Sequence, residues 1–241
     1  MGLTPEGRLL IVSHRLPITL RRVGADLVVV PSAGGVATGL AGPHEASDGL
    51  WFGYPGELGG LAEPERTDVE AELARRRLVP VPLEAARHRA YYEGFSNQIL
   101  WPLFHYLLER VPLNTYDWDD YCAVNARFAD SVAAHYRPGD RIWVHDYQLL
   151  LVPGLLRQRL PDARIGFFLH IPFPSSEVFR TLPWRNRLLE GMLGADLVGF
   201  HSYPYLQHFT HALLEVLGLE SEVDRVRLTT HTARLGVFPM G

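Results

Sequence analysis

The sequence predicts an α/β fold, a Rossmann-like, doubly wound and mostly parallel sheet. Three observations carry that expectation. Five short apolar runs are continuous rather than alternating, as strands buried on both faces are. Helical stretches separate the last three runs, which is the strand–helix alternation of βαβ units. Four of the runs end directly in polar, hydrogen-bonding residues, and an open parallel sheet binds its ligands beyond the carboxyl ends of its strands.

The elements follow in chain order. Leu9-Leu10-Ile11-Val12 and Leu27-Val28-Val29-Val30 are the first two runs. Glu63 to Arg77 is charged and reads as a solvated surface helix, and Leu78-Val79-Pro80-Val81 as a short strand that Pro80 places at an edge. Tyr116 to Tyr136 is helical up to Pro138-Gly139. The run Ile142-Trp143-Val144 precedes a helix over Gln148 to Leu160, with Pro153 in its first turn or at a kink. Ile165 to Leu169 is the next strand, and Glu177 to Leu193 forms one or two helices broken near Pro183. Leu197 to Phe200 is the last run, followed by a helix over Tyr203 to Leu217 that Gly218 stops.

With 241 residues, 47% hydrophobic and 21% charged, the chain has the balance of a globular protein with a substantial core. The net charge of -4 gives no basic surplus for nucleic acid or an anionic membrane. An anionic substrate would need local arginines. The single cysteine, Cys122, excludes a disulfide within the chain and suits a reducing cytoplasm, the expected location. It reads as a small core residue. Met1 to Arg8 lacks the apolar stretch of a secretory signal, and no run approaches the ~20 residues of a membrane span.

The residues after the strands are the candidate site: Ser13-His14-Arg15, His145-Asp146-Tyr147, His170-Ile171-Pro172 and His201-Ser202-Tyr203. Asp146 suits either a sugar hydroxyl pair or the N-cap of the following helix. Arg15 offers a planar fork for phosphate, or a surface ion pair. His170 reads equally as a ligand contact or a buried structural histidine. Ser32-Ala33-Gly34-Gly35 opens an apolar helical stretch, where backbone N–H groups and the helix dipole favour a phosphate, although a Gly-Gly pair is also an ordinary turn. The stretch from Tyr91-Tyr92 through Trp101-Pro102 to His105-Tyr106, and the cluster Trp51-Phe52-Gly53-Tyr54 beside a Gly turn, suit either sugar stacking or core packing. A metal hydrolase on His145, Asp146, His170 and His201 is disfavoured, because no standard metal-ligand motif is present.

Taken in order, the motifs Val12-Ser13-His14-Arg15-Leu16-Pro17, Ser32-Ala33-Gly34-Gly35, Trp51-Phe52-Gly53, Tyr92 through Trp101-Pro102, Trp143 to Tyr147 and Phe168 to Pro174 closely resemble the N-terminal domain of the trehalose-6-phosphate synthases. The resemblance runs from about Leu9 to Gly241. It implies the N-terminal half of a two-domain GT-B fold, with residues 1–241 as one Rossmann-like acceptor-binding domain. It implies transfer of glucose from a nucleotide sugar, usually UDP-glucose, to glucose 6-phosphate, with retention of configuration and without metal or other cofactor. On the matching positions, Arg15 and Tyr92 would bind the acceptor phosphate. Trp101 and Asp146 would hold the acceptor sugar, with Tyr54 on the same side. Gly34 and Gly35 would approach the donor diphosphate, and His170 the donor glucose. Asp146 and His170 would be the residues nearest the reacting bond.

Two departures stand out. His14 replaces the family's usual Asn, and Tyr54 its usual Trp, which keeps other acceptors open, such as glycerol 3-phosphate or a cyclitol phosphate. The family's chain also continues beyond Gly236-Val237-Phe238-Pro239-Met240-Gly241 into a nucleotide-sugar domain that supplies cationic residues for the donor phosphates. The expectation is therefore a half-enzyme without appreciable transferase activity alone, whose uncovered apolar surface favours self-association. A retaining glycosidase would need two carboxylates about 5 Å apart, and only Asp146 is in place. A front-face transfer, in which the departing diphosphate takes the acceptor's proton, fits better. The alternative is a non-catalytic regulatory or sugar-phosphate-binding module.

Overall fold

The computed structural model describes residues 7–23, 26–32, 35–56, 63–112 and 117–239. The chain opens with β1 (Leu9–Arg15), β2 (Ile18–Val23), β3 (Asp26–Pro31), α1 (Gly35–Glu45) and β4 (Leu50–Tyr54). Next come α2 (Glu63–Arg75), β5 (Leu78–Pro80) and α3 (Ala85–His88), which runs into a π-helix over Arg89–Leu100 and then α4 (Trp101–Phe104). The second half holds α5 (Trp118–His135), β6 (Arg141–His145), α6 (Val152–Arg159), β7 (Arg164–Phe168), α7 (Ser176–Phe179), α8 (Arg185–Met192), β8 (Leu197–Phe200) and α9 (Tyr203–Ala212). It closes with β9 (Ser221–Glu222), β10 (Arg225–Arg227) and β11 (Thr232–Val237).

Nine strands form one sheet in the order β5-β4-β1-β6-β7-β8-β11-β10-β9. Every neighbouring pair from β5 to β11 is parallel, and the β11–β10–β9 edge is antiparallel. From β1 the chain steps outward through β4 to β5, and from β6 it steps the other way through β7 and β8 to β11. The direction reverses between β1 and β6, the switch point where doubly wound sheets open a crevice.

The period of two along each strand splits the core between the faces. Leu10, Val12, Phe52, Ile142, Val144, Phe167 and Val198 join the large cluster under α5, α6, α8 and α9. Ile11 and Trp51 face the other way, onto Leu40 of α1 and Val69 and Leu73 of α2. Burial on both faces is what the continuous apolar runs encode, at about 1.5–3 kcal/mol for each large side chain fully removed from water.

Several boundaries follow local chemistry. Pro153 sits in the first turn of α6, where its missing N–H costs nothing. The helical stretch near Pro183 is broken into α7 and α8. Gly218, in the left-handed conformation at φ 67°, ends the π-helix over Leu213–Leu217 that continues α9. The strand with Pro80 pairs only with β4, at the sheet's edge.

Two expectations are corrected. Leu27 to Val30 is not a strand of the parallel sheet; it lies in β3, which pairs antiparallel with β2. Only two residues separate β2 from β3, whereas a parallel return needs a crossover of a dozen or more. The aromatic cluster Trp51 to Tyr54, expected beside a Gly turn, instead has its glycine within β4, inside the sheet beside β1. Its Gly53 is required by close approach: a Cβ there would lie 2.6 Å from the carbonyl carbon of Arg15, where β1 is irregular. Among the described residues, no helix is long and apolar enough to cross a membrane.

Candidate active site

Because β1, β4, β6, β7 and β8 are parallel neighbours, Arg15, Tyr54, Asp146, His170 and His201 emerge along one edge of the sheet. The end of β1 is fixed by side chains. The Trp51 indole N–H donates to Ser13 Oγ at 2.7 Å, and the Ser13 hydroxyl donates to the Arg15 carbonyl at 2.7 Å. Arg15 itself is exposed, and its guanidinium lies 5.2 Å from the centre of the Tyr92 ring on the π-helix.

Asp146 occupies the switch point. Its backbone has φ 75° and ψ 169°, a region nearly restricted to glycine and costing about 1–3 kcal/mol elsewhere. The fold holds it there from several sides. Asp146 N–H donates to the Phe168 carbonyl at 2.8 Å. Its Oδ1 accepts from Tyr147 N–H at 3.0 Å and from His170 N–H at 3.2 Å. Asp146 therefore caps the short turn over residues 147–149, whereas α6 begins only at Val152 with Leu151 at its N-cap, so its capping role is local to the turn. Burial raises its carboxyl from 3.8 to about 7, against the opposing pull of those two amides.

The irregular turn over residues 147–151 is satisfied by α5. The Tyr121 hydroxyl donates to the Tyr147 carbonyl at 2.8 Å and accepts from Leu150 N–H at 3.2 Å. Asn125 donates to the Gln148 carbonyl at 3.0 Å and accepts from Leu151 N–H at 3.1 Å. Both side chains are fully buried. The Tyr147 hydroxyl donates to Asn97 of the π-helix at 2.7 Å, tying that helix to the turn.

A second cluster surrounds His14. Its ring stacks on Tyr92 at 4.2 Å and lies 5.4 Å from His88, which stacks on Tyr54 at 4.1 Å. Burial, then the charges on His88 and Arg15, push His14 well below its usual range. Tyr54 is buried in this column rather than open. His14 and Tyr54, the two departures from the family pattern, thus pack around a common partner.

On the other side of Asp146, His145 Nδ1 lies 3.0 Å from His170 Nε2, and the His170 and His201 rings meet edge-on at 5.5 Å. Burial, then His201, lowers His170 from 6.5 to about 4, and burial, then His170, holds His145 well below its usual value. His145, His170 and Leu40 of α1 line a cavity of about 270 Å³. Gly35 is the first residue of α1, with open space where a Cβ would stand. Gly34 lies outside the described residues. Trp101 begins α4, directly after the π-helix that carries Tyr92 and Asn97, and stacks on His105 at 4.1 Å. Among the described residues, no group of three or more His, Cys, Asp or Glu is arranged to hold a metal ion.

Sequence reasoning missed Tyr121, Asn125, Asn97 and His88. Only the aromatic-rich stretch around Tyr92 gave a signal for Asn97. The others lie in ordinary helical text.

Comparisons with known proteins identify the family. The sequence profile of glycosyltransferase family 20 matches residues 7–241. The chain is 42% identical over 254 residues to an α,α-trehalose-phosphate synthase (UDP-forming) of Aspergillus niger, covering 100% of this chain and 52% of that protein. It is 41% identical to one from Aspergillus fumigatus, over 98% of this chain and 47% of the other. The chain spans about half the length of these relatives. Among solved structures, a Burkholderia xenovorans α,α-trehalose-phosphate synthase in complex with glucose-6-phosphate superposes with a TM-score of 0.79 at 31% identity, over 98% of this chain and 50% of that one. The N-terminal domain of Candida albicans trehalose-6-phosphate phosphatase superposes at 0.80 and 33% identity, over 100% of this chain and 50% of the other. This chain belongs to glycosyltransferase family 20.

Proposed function

We propose that this chain is the N-terminal, acceptor-binding half of a retaining transferase that moves glucose from a nucleotide sugar, UDP-glucose, to glucose 6-phosphate to form trehalose 6-phosphate. The observation that carries this reading is Asp146 at the switch point, its Oδ1 held by the amides of Tyr147 and His170. A carboxyl held in a strained backbone conformation among buried supports is suited to hydrogen bonding with a ligand.

In this reading Arg15 forks onto the acceptor phosphate beside Tyr92. Asp146 and Trp101 hold the acceptor sugar, and Tyr54 closes the pocket behind His88. His170 meets the donor glucose, and Gly35 at the start of α1 meets the diphosphate, where helix N–H groups favour negative charge. As the bond from the anomeric carbon to diphosphate breaks, the acceptor oxygen bonds to that carbon on the same face. Its proton passes to the departing diphosphate oxygen. The protein's work is positioning and stabilisation of the leaving charge. The proposal includes no metal and a cytoplasmic location. It assigns the cations for the donor phosphates to a second domain, and exposed Leu197 and Phe238 are compatible with self-association.

Calorimetric titration with glucose 6-phosphate tests the acceptor reading, and a saturable response is expected. Its complete absence overturns the reading and favours a non-binding structural module. Tighter binding of glycerol 3-phosphate or a cyclitol phosphate moves the acceptor to that class. The isolated chain is expected to form no measurable trehalose 6-phosphate from UDP-glucose; robust turnover contradicts the half-enzyme reading.

A further inference from the structure

His145 ends β6 with its side chain buried, one residue before Asp146. Its Nδ1 lies 3.0 Å from His170 Nε2. Its other ring nitrogen, Nε2, is sealed from solvent and has no hydrogen-bond partner among the described residues. The hydrogen bond to His170 is therefore the one polar interaction that this buried imidazole makes with them. Around it stand Trp143, with ring centres 4.5 Å apart, and the apolar wall formed by Leu40 and Phe168.

We infer that His145 is a positioning residue: it occupies His170 Nε2 and leaves Nδ1 as the ring nitrogen that His170 offers to a ligand. The argument holds for either direction of the bond. A contact of 3.0 Å between two imidazole nitrogens carries one proton, so one ring donates and the other accepts. In both cases Nε2 of His170 is spent. His170 Nδ1 makes no bond to the described residues and is not among the sealed, unsatisfied atoms. A single shared proton also requires that the two rings not both be charged. Burial, which holds both histidines below their usual range, meets that requirement. The other neighbours of His170 leave Nδ1 alone. Asp146 binds its backbone N–H, and His201 and Phe168 meet its ring through aromatic contacts. A histidine held at one nitrogen by a buried partner and open at the other has a fixed ring plane, as does a metal-ligating histidine oriented by its outer partner.

The significance for donor recognition rests on the proposed role of His170, but the pairing itself can be read without ligand. Nitrogen-15 spectra of the whole chain, with the His170 ring assigned, are compared for wild type, His145→Asn, His145→Gln and His145→Leu. An Asn amide reaches the place of Nδ1, whereas Gln reaches the place of Nε2. The expected result is a His170 Nε2 resonance that shifts in H145L and H145Q and returns toward wild type in H145N. An Nε2 resonance indifferent to all three overturns the inference. If H145L or H145Q fails to fold, wild type against H145N decides, since only a bond through Nδ1 survives that change. UDP-glucose is then titrated into wild type. Movement of Nδ1 ahead of Nε2 is expected, and movement of Nε2 alone overturns the inference. If the ring does not respond to UDP-glucose while the variants behave as expected, the pairing stands, and the donor contact of His170 requires the second domain that supplies the phosphate cations.

Discussion

Asp146 and His170 follow adjacent strands, and the backbone N–H of His170 donates to Asp146 Oδ1 at 3.2 Å, so two residues expected to flank the reacting bond brace each other. That bracing occurs in a desolvated setting that lifts the Asp146 carboxyl to about 7. A raised folded-state value means the folded chain holds this proton more tightly than the unfolded chain. Its contribution to stability is complete below the unfolded value of 3.8 and declines as pH rises toward about 7. Asp146→Asn keeps an oxygen for both amides and removes the charge. It is expected to be neutral for stability near pH 4 and stabilising by about 1–3 kcal/mol at pH 8. Urea denaturation at the two pH values checks this. Loss of the glucose 6-phosphate response in the same variant would mark a site that trades stability for function.

Arg15 is exposed at the end of β1, so its substitution should change global stability by less than about 0.5 kcal/mol. Its proposed work is a forked contact to phosphate that a lysine cannot reproduce. Arg15→Lys is expected to weaken glucose 6-phosphate binding about tenfold, near 1.4 kcal/mol, and Arg15→Ala to weaken it further. Equal affinities for wild type, R15K and R15A by calorimetry would remove Arg15 from the acceptor site.

His14 moves stability in the opposite direction with pH. Its folded value is depressed, so the unfolded chain takes up this proton first as pH falls below 6.5, and stability is lost on the acid side. Wild type is expected to lose up to about 1.4 kcal/mol per pH unit more than His14→Asn between pH 6 and 5. Denaturation midpoints across that range measure the difference in slope. Parallel slopes would mean that His14 does not stay neutral in its aromatic column.

What the sequence made legible was chemistry that acts locally. Pro80 marked an edge strand, Pro183 a helix break and Gly218 a helix end, because each limits its own backbone. The residues after the strands were legible because parallel connectivity fixes where strand ends go. Leu27 to Val30 was misread because apolar content does not reveal a strand's partner, which the two-residue connection to β2 decides. Tyr121 and Asn125 were illegible for a related reason. They serve the Asp146 turn from a helix more than 20 residues upstream, and only the packed fold shows that α5 crosses beneath it. The His14, His88, Tyr54 and Tyr92 column joins separate elements in the same way.

The close packing of α8 against the Asp146 turn gives a test that links fold to site. A Cβ on Gly191 would lie 2.6 Å from the Leu150 carbonyl oxygen and 2.9 Å from Leu151 Cα. Both are backbone atoms of the turn that Tyr121 and Asn125 hold, so neither can yield by a rotamer change. Gly191→Ala is therefore expected to cost about 1–3 kcal/mol as an overpacking change. Gly42 is the contrast. It is exposed in α1, and apart from its neighbours in the chain nothing lies within 4 Å of the place a methyl would take, so Gly42→Ala leaves the Asp146 turn untouched; any cost it carries is local, from Pro43 crowding a helical residue before it. The decisive comparison is binding at a temperature where both variants remain folded. A displacement of the 147–151 backbone moves Asp146 with it, and a shift near 1 Å in such a site can cost about a hundredfold. G191A should thus weaken glucose 6-phosphate binding while G42A leaves it unchanged. Unaltered binding by a folded G191A would mean that the turn absorbs the strain without moving Asp146, and that acceptor recognition does not depend on this packing.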